Sequence, residues 1–282
     1  LAAAADVLHL PLTVPIPRAR RTVLTLFDLL HHDVPALFGR GERVFRKLAY
    51  ERAARHATRV VTVSEHSRAR IAALLGIEPA RIAAIHPGID HTRFHPGPAS
   101  GLEGLALPEG PWLLYPAALW PHKNHERLLA ALARIEEVEL VLTGATFGRE
   151  EELRAQARRL GVSDRVRHLG FVPAAALPNL YRAASALVFP SLAEGFGQPA
   201  LEAMACGCPV AASDTPAVAE ACADAALLFD PYDPAAMAEA ITRALRGDDD
   251  LREAGIDRAR AFTWERAAAQ HAGVYAAALS SR

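Results

Sequence analysis

Apolar runs of strand length alternate with stretches whose apolar residues recur at helical spacing along most of this 282-residue chain. In the first part, Val7–Leu10, Thr22–Leu26, Arg59–Val63 and Arg81–Ile85 read as strands, the last leading into His86-Pro87-Gly88. They are short continuous apolar runs of the kind buried on both faces of a parallel sheet. A helical pattern covers about Glu42 to Ala57. Another runs from Ser64, a natural N-cap, to Leu75, where Gly76 ends it. The stretch His95–Gly110 holds Pro96, Pro98, Pro108 and four glycines without any period, which reads as a linker.

A second series follows the linker. Its strands are Trp112–Tyr115, Val138–Thr143, Val166–Leu169, Ala186–Phe189, Pro209–Ala212 and Ala226–Phe229. Helical patterns lie between them at about Asn124–Ile135, Arg149–Leu160, Ala174–Ala183 and Pro199–Ala205. Alternating βα units imply parallel sheets covered by helices on both faces, so the fold class is α/β with two Rossmann-like domains. The expected division is residues 1–98, a linker 99–110, a second domain 111–262 and a C-terminal helix 263–282. The first series holds only about four strands and opens at once on a strand. A Rossmann half normally starts with earlier βα units, so the chain is a fragment or its first domain is unusually small.

Composition narrows the class without naming it. At 51% hydrophobic and 22% charged residues, a substantial core is available and global disorder is excluded. A net charge of −1 gives no global electrostatic reason to expect nucleic acid. Three cysteines, Cys206, Cys208 and Cys222, make no disulfide framework, which points to a reducing cytoplasm. No apolar stretch is long enough to span a bilayer, and Leu1–Ala5 is too short and too uncharged for a signal peptide. The expectation is a soluble protein, or one attached to a membrane surface. The second option comes from Arg40–Arg59, where Arg40, Arg43, Arg46, Lys47, Arg52, Arg55 and Arg59 flank the apolar Val44, Phe45 and Leu48. The plainer reading is a solvated face on a domain helix.

The densest chemistry lies at E-G-F-G-Q-P-A-L-E, from Glu194 to Glu202, directly after the apolar run Ala186–Pro190. Proline suits a first helical position, so a helix should begin near Pro199. Strand, glycine turn and helix start together offer unpaired backbone N–H groups with the positive end of a helix dipole behind them. A carboxylate at each end of an anion site suits a ligand that also carries hydroxyls. The inferred ligand is a nucleotide-sugar, its diphosphate on the amides and its hydroxyls on the acids. The bland alternative is two solvent-facing acids near a helix start. Cys206 and Cys208 read as small packing residues. His122 and His125 have i, i+3 spacing but no acidic or cysteine neighbour to complete a metal site.

Phe189–Ser213, F-P-S-L-A-E-G-F-G-Q-P-A-L-E-A-M-A-C-G-C-P-V-A-A-S, resembles the EX7E region of the retaining GT-B-fold glycosyltransferases of family 4. Supporting pieces in the family's order are Val61–Ser67, Ile85–Asp90, P-H-K-N-H at Pro121–His125, Val166–Val172 and W-E-R-A-A-A at Trp264. The resemblance implies a metal-independent hexosyltransferase that uses a GDP- or UDP-sugar as co-substrate and needs no cofactor. The domain up to residue 98 would serve the acceptor, 111–262 would bind the nucleotide-sugar, and the last helix would pack back on the first domain. The acceptor would be a saccharide or a lipid-linked saccharide. Residue by residue, Lys123 matches the diphosphate-binding lysine and Glu194 the catalytic glutamate near the transferred sugar. Glu202 matches the ribose-binding glutamate, and Gly195, Phe196 and Gly197 would offer backbone amides. Phe171 and Val172 fall where the nucleobase pocket forms, and Gly144 ends a strand opening on the cleft. The P-H-K-N-H and G-F-G-Q-P variants resemble mannosyltransferase-like members using GDP-mannose.

Two departures stand out. The arginine that often accompanies the lysine is absent from Ala117-Ala118-Leu119-Trp120, and Phe27 stands before Asp28 where the family usually has a histidine. Asp28, with His31 and His32 as substitutes, is the resulting acceptor-side set. The alternatives are a non-catalytic or partner-dependent nucleotide-sugar-binding protein with an incomplete acceptor domain, and an epimerase or phosphorylase of the same architecture.

Overall fold

Strands that are apolar on both faces need a helix layer on each side, and the computed structural model supplies both. It describes residues 5–11, 21–247 and 249–281; of the Leu1–Ala5 stretch only Ala5 lies within them. The chain divides into two compact units. One takes the residues up to Gly88, the short stretch Ala193–Phe196 and everything from Phe262 on; the other takes Ile89–Leu192 and Gly197–Ala261.

The first unit is built on a parallel sheet in the order β1-β2-β3-β4, with β1 Leu8–Leu10, β2 Thr22–Thr25, β3 Arg59–Thr62 and β4 Ile82–Ala84. Its helices are α1 Leu30–Asp33, α2 Arg40–Arg46, α3 Arg52–His56 and α4 Glu65–Leu75. Alternate strand residues point to opposite faces. Leu24, Val60 and Ile82 pack with Ala53, Ala54, Ala57, Ile71 and Leu75 on one face. Val23 and Val61, with Ile85, pack on the other with Ala267, Val274 and Ala278. The α4 ends follow the sequence signals: Ser64 caps the Ser67 amide at 3.0 Å, and Gly76 closes the helix at φ +64°.

The helix expected over Glu42–Ala57 is interrupted. Between α2 and α3 the chain makes one π-helical turn, Lys47–Glu51. The wider turn changes which residues face inward: Ala49, Glu51, Ala53 and Ala54 are buried, whereas Val44, Phe45 and Leu48 stand 56–64% exposed.

The second unit carries a six-stranded parallel sheet in the order β10-β9-β8-β5-β6-β7. The strands are β5 Trp112–Pro116, β6 Glu139–Thr143, β7 Val166–His168, β8 Ala186–Phe189, β9 Val210–Ser213 and β10 Leu227–Phe229. Between and after them come α5 His125–Leu132, α6 Glu150–Arg159, α7 Leu177–Ala183, α8 Gln198–Ala205, α9 Pro216–Cys222, α10 Pro234–Leu245 and α11 Asp249–Arg260. Alanine fills much of α9 and α10, and α11 is mostly charged and buries Gly255 and Ala259, so a periodicity reading passes over all three. Their start signals are nonetheless present: Pro216 and Pro234 sit at first helical positions, and Asp233 accepts from the Ala235 amide at 2.8 Å. From β5 the sheet grows through β6 to β7, and from β8 through β9 to β10 in the opposite direction. The β5–β8 seam is therefore the topological switch point, where parallel α/β sheets open a crevice beyond their strand ends.

The chain then returns to the first unit with α12, Trp264–Ser280, capped by Thr263 through the Arg266 amide at 3.1 Å. Gly88 makes this close approach possible, because a Cβ there would lie 2.5 Å from the Thr263 carbonyl carbon and against the Trp264 backbone. Backbone cannot step aside as a side chain can. Gly88→Ala is expected to cost about 3 kcal/mol and lower the thermal midpoint by about 5–10 °C, read by calorimetry. Among the described residues, no helix is long and apolar enough to cross a membrane.

Candidate active site

The switch point of the second unit carries a tightly held turn. After β5, Pro121–Lys123 form a single 3-10 turn that ends on Asn124 in the left-handed conformation at φ +61°. Asparagine tolerates that conformation better than most residues. The Asn124 amide nitrogen donates to the carbonyls of Pro190 at 3.0 Å and Pro231 at 2.8 Å, tying the turn to the exits of β8 and β10. Buried Tyr115 donates its hydroxyl to the Lys123 carbonyl at 2.8 Å and lies 3.1 Å from the Ser191 hydroxyl. The Leu192 amide donates to the His122 carbonyl at 2.8 Å. The Lys123 backbone is thus fixed without help from its side chain, whose Nζ stands 5.8 Å from the centre of the Phe189 ring.

His125 lies under this turn with its ring 4.9 Å from that of Tyr115. Burial, with the Lys123 charge adding to it, holds its pKa down to about 3, so the imidazole is neutral across the physiological range. The unfolded chain would bind a proton near pH 6.5 that the folded chain refuses. The stability this contributes is complete above pH 6.5 and is lost as pH falls towards 3, at up to about 1.4 kcal/mol per pH unit. His125→Leu is expected to flatten the acid side of the stability profile. Thermal midpoints of the two proteins should converge, or cross, as pH falls from 7 to 4.5.

Other sequence-selected residues of this unit surround strand exits. Gly144 ends β6 at φ +125°, where a Cβ would meet the Ala117 and Ala118 backbone at 2.9 Å, and its amide donates to the Gly170 carbonyl at 2.8 Å. Beyond Gly170, Phe171 is 87% exposed and Val172 half-buried. Gly197, at φ +126°, is the N-cap of α8, and Pro199 follows within the first turn. Glu202 lies in the second turn of α8, half-buried, and accepts from the Tyr181 hydroxyl at 3.3 Å. Burial raises its carboxyl pKa against the opposing hydrogen bonds from Tyr181 and Gln198 and the charge of Arg93. Partly desolvated carboxylates with a specific charge partner cluster at functional sites.

Glu194, Gly195 and Phe196 belong to the first unit. The Gly195 carbonyl accepts from the hydroxyls of Ser64 at 2.7 Å and Ser67 at 3.3 Å. A Cβ on Gly195 would stand 3.3 Å from the Phe27 carbonyl and 3.4 Å from Val63. Phe196 is buried and stacked on His86, ring centres 5.1 Å apart and 15° from parallel, with Phe262 against its edge. Asp28 accepts from the Leu30 amide at 3.0 Å. Burial raises its pKa, and the charge of Glu194 pushes the same way. His31 and His32 turn instead to Glu51, which lies 3.4 and 2.8 Å from their Nε2 atoms. Burial lowers the His31 pKa; for Glu51 burial acts upward but the hydrogen bonds from His32 and His31 win, and its pKa falls.

Sequence reasoning missed several supporting residues. Tyr115, Asn124 and Tyr181 were indistinguishable from core or cap positions. Ser64 showed only its capping signal, although the same hydroxyl also holds the Gly195 carbonyl.

Two doubly covered parallel sheets, with a lysine turn at a switch point and a glycine-capped helix beside it, define a two-Rossmann-domain protein of GT-B architecture. The chain belongs to the glycosyl transferases group 1 family, whose model matches residues 104–262, while residues 2–93 match the model described as Glycosyltransferase Family 4. It is 31% identical over 271 residues to O-antigen chain mannosyltransferase B of Escherichia coli, covering 92% of this chain and 71% of that one. It is 35% identical over 246 residues to a D-inositol 3-phosphate glycosyltransferase of Acidothermus cellulolyticus, covering 80% of this chain and 54% of the relative. Among solved structures, sucrose-phosphate synthase from Thermosynechococcus elongatus matches with a TM-score of 0.79 at 28% identity, over 91% of this chain and 67% of that one. Anabaena HepE, solved with UDP and glucose, matches with a TM-score of 0.78 at 26% identity, over 92% and 72%. The chain therefore spans about half to seven-tenths of the length of these relatives.

Proposed function

We propose that this chain is a retaining glycosyltransferase that moves a hexose from a nucleoside-diphosphate sugar to a saccharide or lipid-linked acceptor. The observation that carries the reading is the Lys123 turn, pinned from Tyr115, Pro190, Pro231 and Leu192 at the β5–β8 switch point. A lysine whose backbone is fixed this firmly is preorganised to meet a phosphate, and preorganised charge is the usual main source of catalysis when a diphosphate leaves. In this reading Lys123 neutralises the departing diphosphate, and Gly197 and the first α8 amides add N–H donors. Glu202 accepts from the ribose hydroxyls. Gly144, Phe171 and Val172 border the base, and Glu194, Gly195 and Phe196 serve the transferred hexose. The bond from the anomeric carbon to phosphate oxygen breaks as the acceptor oxygen bonds to the same face, its proton passing to the departing phosphate. No metal takes part in that step. Asp28 lies on the acceptor side, with His31 and His32 supporting its loop through Glu51.

GDP-mannose is the donor of choice, on the similarity to a mannosyltransferase; the HepE complex makes a UDP-hexose the second candidate. A thermal-shift panel of GDP-, UDP- and ADP-sugars tests the reading. A shift confined to one base supports it and fixes the donor, whereas no shift with any of them overturns it. A non-catalytic nucleotide-sugar-binding role is the second reading, favoured by Phe27 preceding Asp28. Binding without transfer to any saccharide would establish it. The exposed Val44, Phe45 and Leu48, flanked by exposed Arg40, Arg43 and Lys47, further support contact with an anionic membrane surface. That surface would be the inner face of the cytoplasmic membrane.

A further inference from the structure

One cluster plays no part in donor chemistry. His31 and His32 on α1 converge on Glu51, whose side chain is 2% exposed, and whose position at the end of the π-helical turn brings it inward. π-helical turns recur at functional sites because the extra residue re-aims a side chain. Both imidazole Nε2 atoms meet the same carboxylate oxygen, at 3.4 and 2.8 Å, and one donor atom from each residue falls within 4.8 Å of the others. Donor atoms bound at about 2.0–2.2 Å around a tetrahedral zinc stand roughly 3.3–3.6 Å apart, so small adjustments would seat one ion among the three. The other oxygen of Glu51 is engaged by Arg55 at 3.3 Å, which orients the carboxylate as outer-shell partners do in metal sites. His31 is 5% exposed, and its Nδ1 has no hydrogen-bond partner among the described residues. Its polar engagement is therefore at the Nε2 end, pointed into the cluster.

We propose that His31, His32 and Glu51 form a structural site for a zinc-class divalent ion. Two imidazoles and a carboxylate suit zinc, cobalt or nickel, whereas calcium and magnesium prefer oxygen donors throughout. His32, whose side chain is 33% exposed, gives the entry path and leaves a fourth position for water. The ion would tie α1, and with it the loop carrying Asp28, to the helix of Glu51. The ordinary alternative is a buried carboxylate neutralised by Arg55 and hydrogen-bonded by two histidines.

The test is titration of the full chain, freed of metal by a chelator and untagged, with zinc and separately with cobalt. Zinc near one equivalent is expected to raise the thermal midpoint by about 5 °C or more, and cobalt to give visible d–d bands of a tetrahedral site. His32→Ala is expected to fold, because about a third of its side chain is already in solvent, and to lose both responses. Glu51→Gln should lose the cobalt bands as well. Absence of both responses in the unaltered chain overturns the proposal. So do equal responses in the unaltered chain and His32→Ala, which would place the ion elsewhere. Nucleotide-sugar binding is read separately on the metal-free chain, so failure of this site and failure of the glycosyltransferase reading are distinguishable.

Discussion

Lys123→Ala is expected to lower kcat/KM for sugar transfer by about 10²–10³-fold while leaving the thermal midpoint essentially unchanged. The turn that carries Lys123 is held by main-chain and neighbouring groups: the Tyr115 hydroxyl, the Asn124 amide and the Leu192 N–H. Truncating the side chain removes none of these backbone anchors, so the turn keeps its place when the ammonium is lost. If that ammonium meets charge developing on the departing diphosphate, the loss falls on kcat more than on donor KM. Lys123→Arg should recover only part of it, since a planar fork presents its charge differently from a compact ammonium. Steady-state kinetics over a range of donor concentrations decide the matter. Unchanged turnover in Lys123→Ala would remove the central element of the proposed mechanism.

Glu202→Gln is expected to weaken donor binding while making the protein more stable at neutral pH. Burial raises the Glu202 pKa, so the folded state favours the neutral carboxyl. The contribution of this group to stability is therefore complete below its unfolded pKa, near 4.5, and is lost as pH rises through the raised folded value. At pH 7 the fold carries a partly desolvated charge, which the amide removes while its oxygen still accepts from Tyr181. The thermal midpoint of Glu202→Gln should match the unaltered chain near pH 4 and exceed it at pH 7. Donor affinity should move the other way by about tenfold or more, because a hydrogen bond to a charged acceptor is worth about 1.5–3 kcal/mol. Stability given up for function is characteristic of binding-site residues. A stability gain with unaltered donor affinity would make Glu202 a packing residue.

These expectations rest on positions of unequal legibility. Val23-Leu24 and Val60-Val61 announced buried parallel strands, because a sheet covered on both faces needs apolar residues at every position. Gly76 and Ser64 announced their helix ends through local chemistry. The helices from Pro216 and Pro234 were less visible, since alanine packs into a core yet carries little hydrophobic contrast, and the mostly charged helix from Asp249 buries Gly255 and Ala259 rather than large apolar side chains. Val44, Phe45 and Leu48 read as the apolar stripe of a basic helix, and they stand exposed, but their spacing did not announce the π-helical turn at Lys47–Glu51. No spacing rule reports one additional residue in a turn.

By its own pattern the chain determined the alternation of strands and helices, the helix caps and the glycine turn between Glu194 and Glu202, because these depend on neighbours a few residues apart. Only the tertiary structure decided that Asn124 anchors the lysine turn to Pro190 and Pro231, and that Ser64 and Ser67 hold the Gly195 carbonyl. It alone decided that His31 and His32 meet at Glu51. Each of the latter joins groups about 20 to 130 positions apart in sequence, and their meeting depends on sheet order and strand register, which no local stretch of sequence encodes.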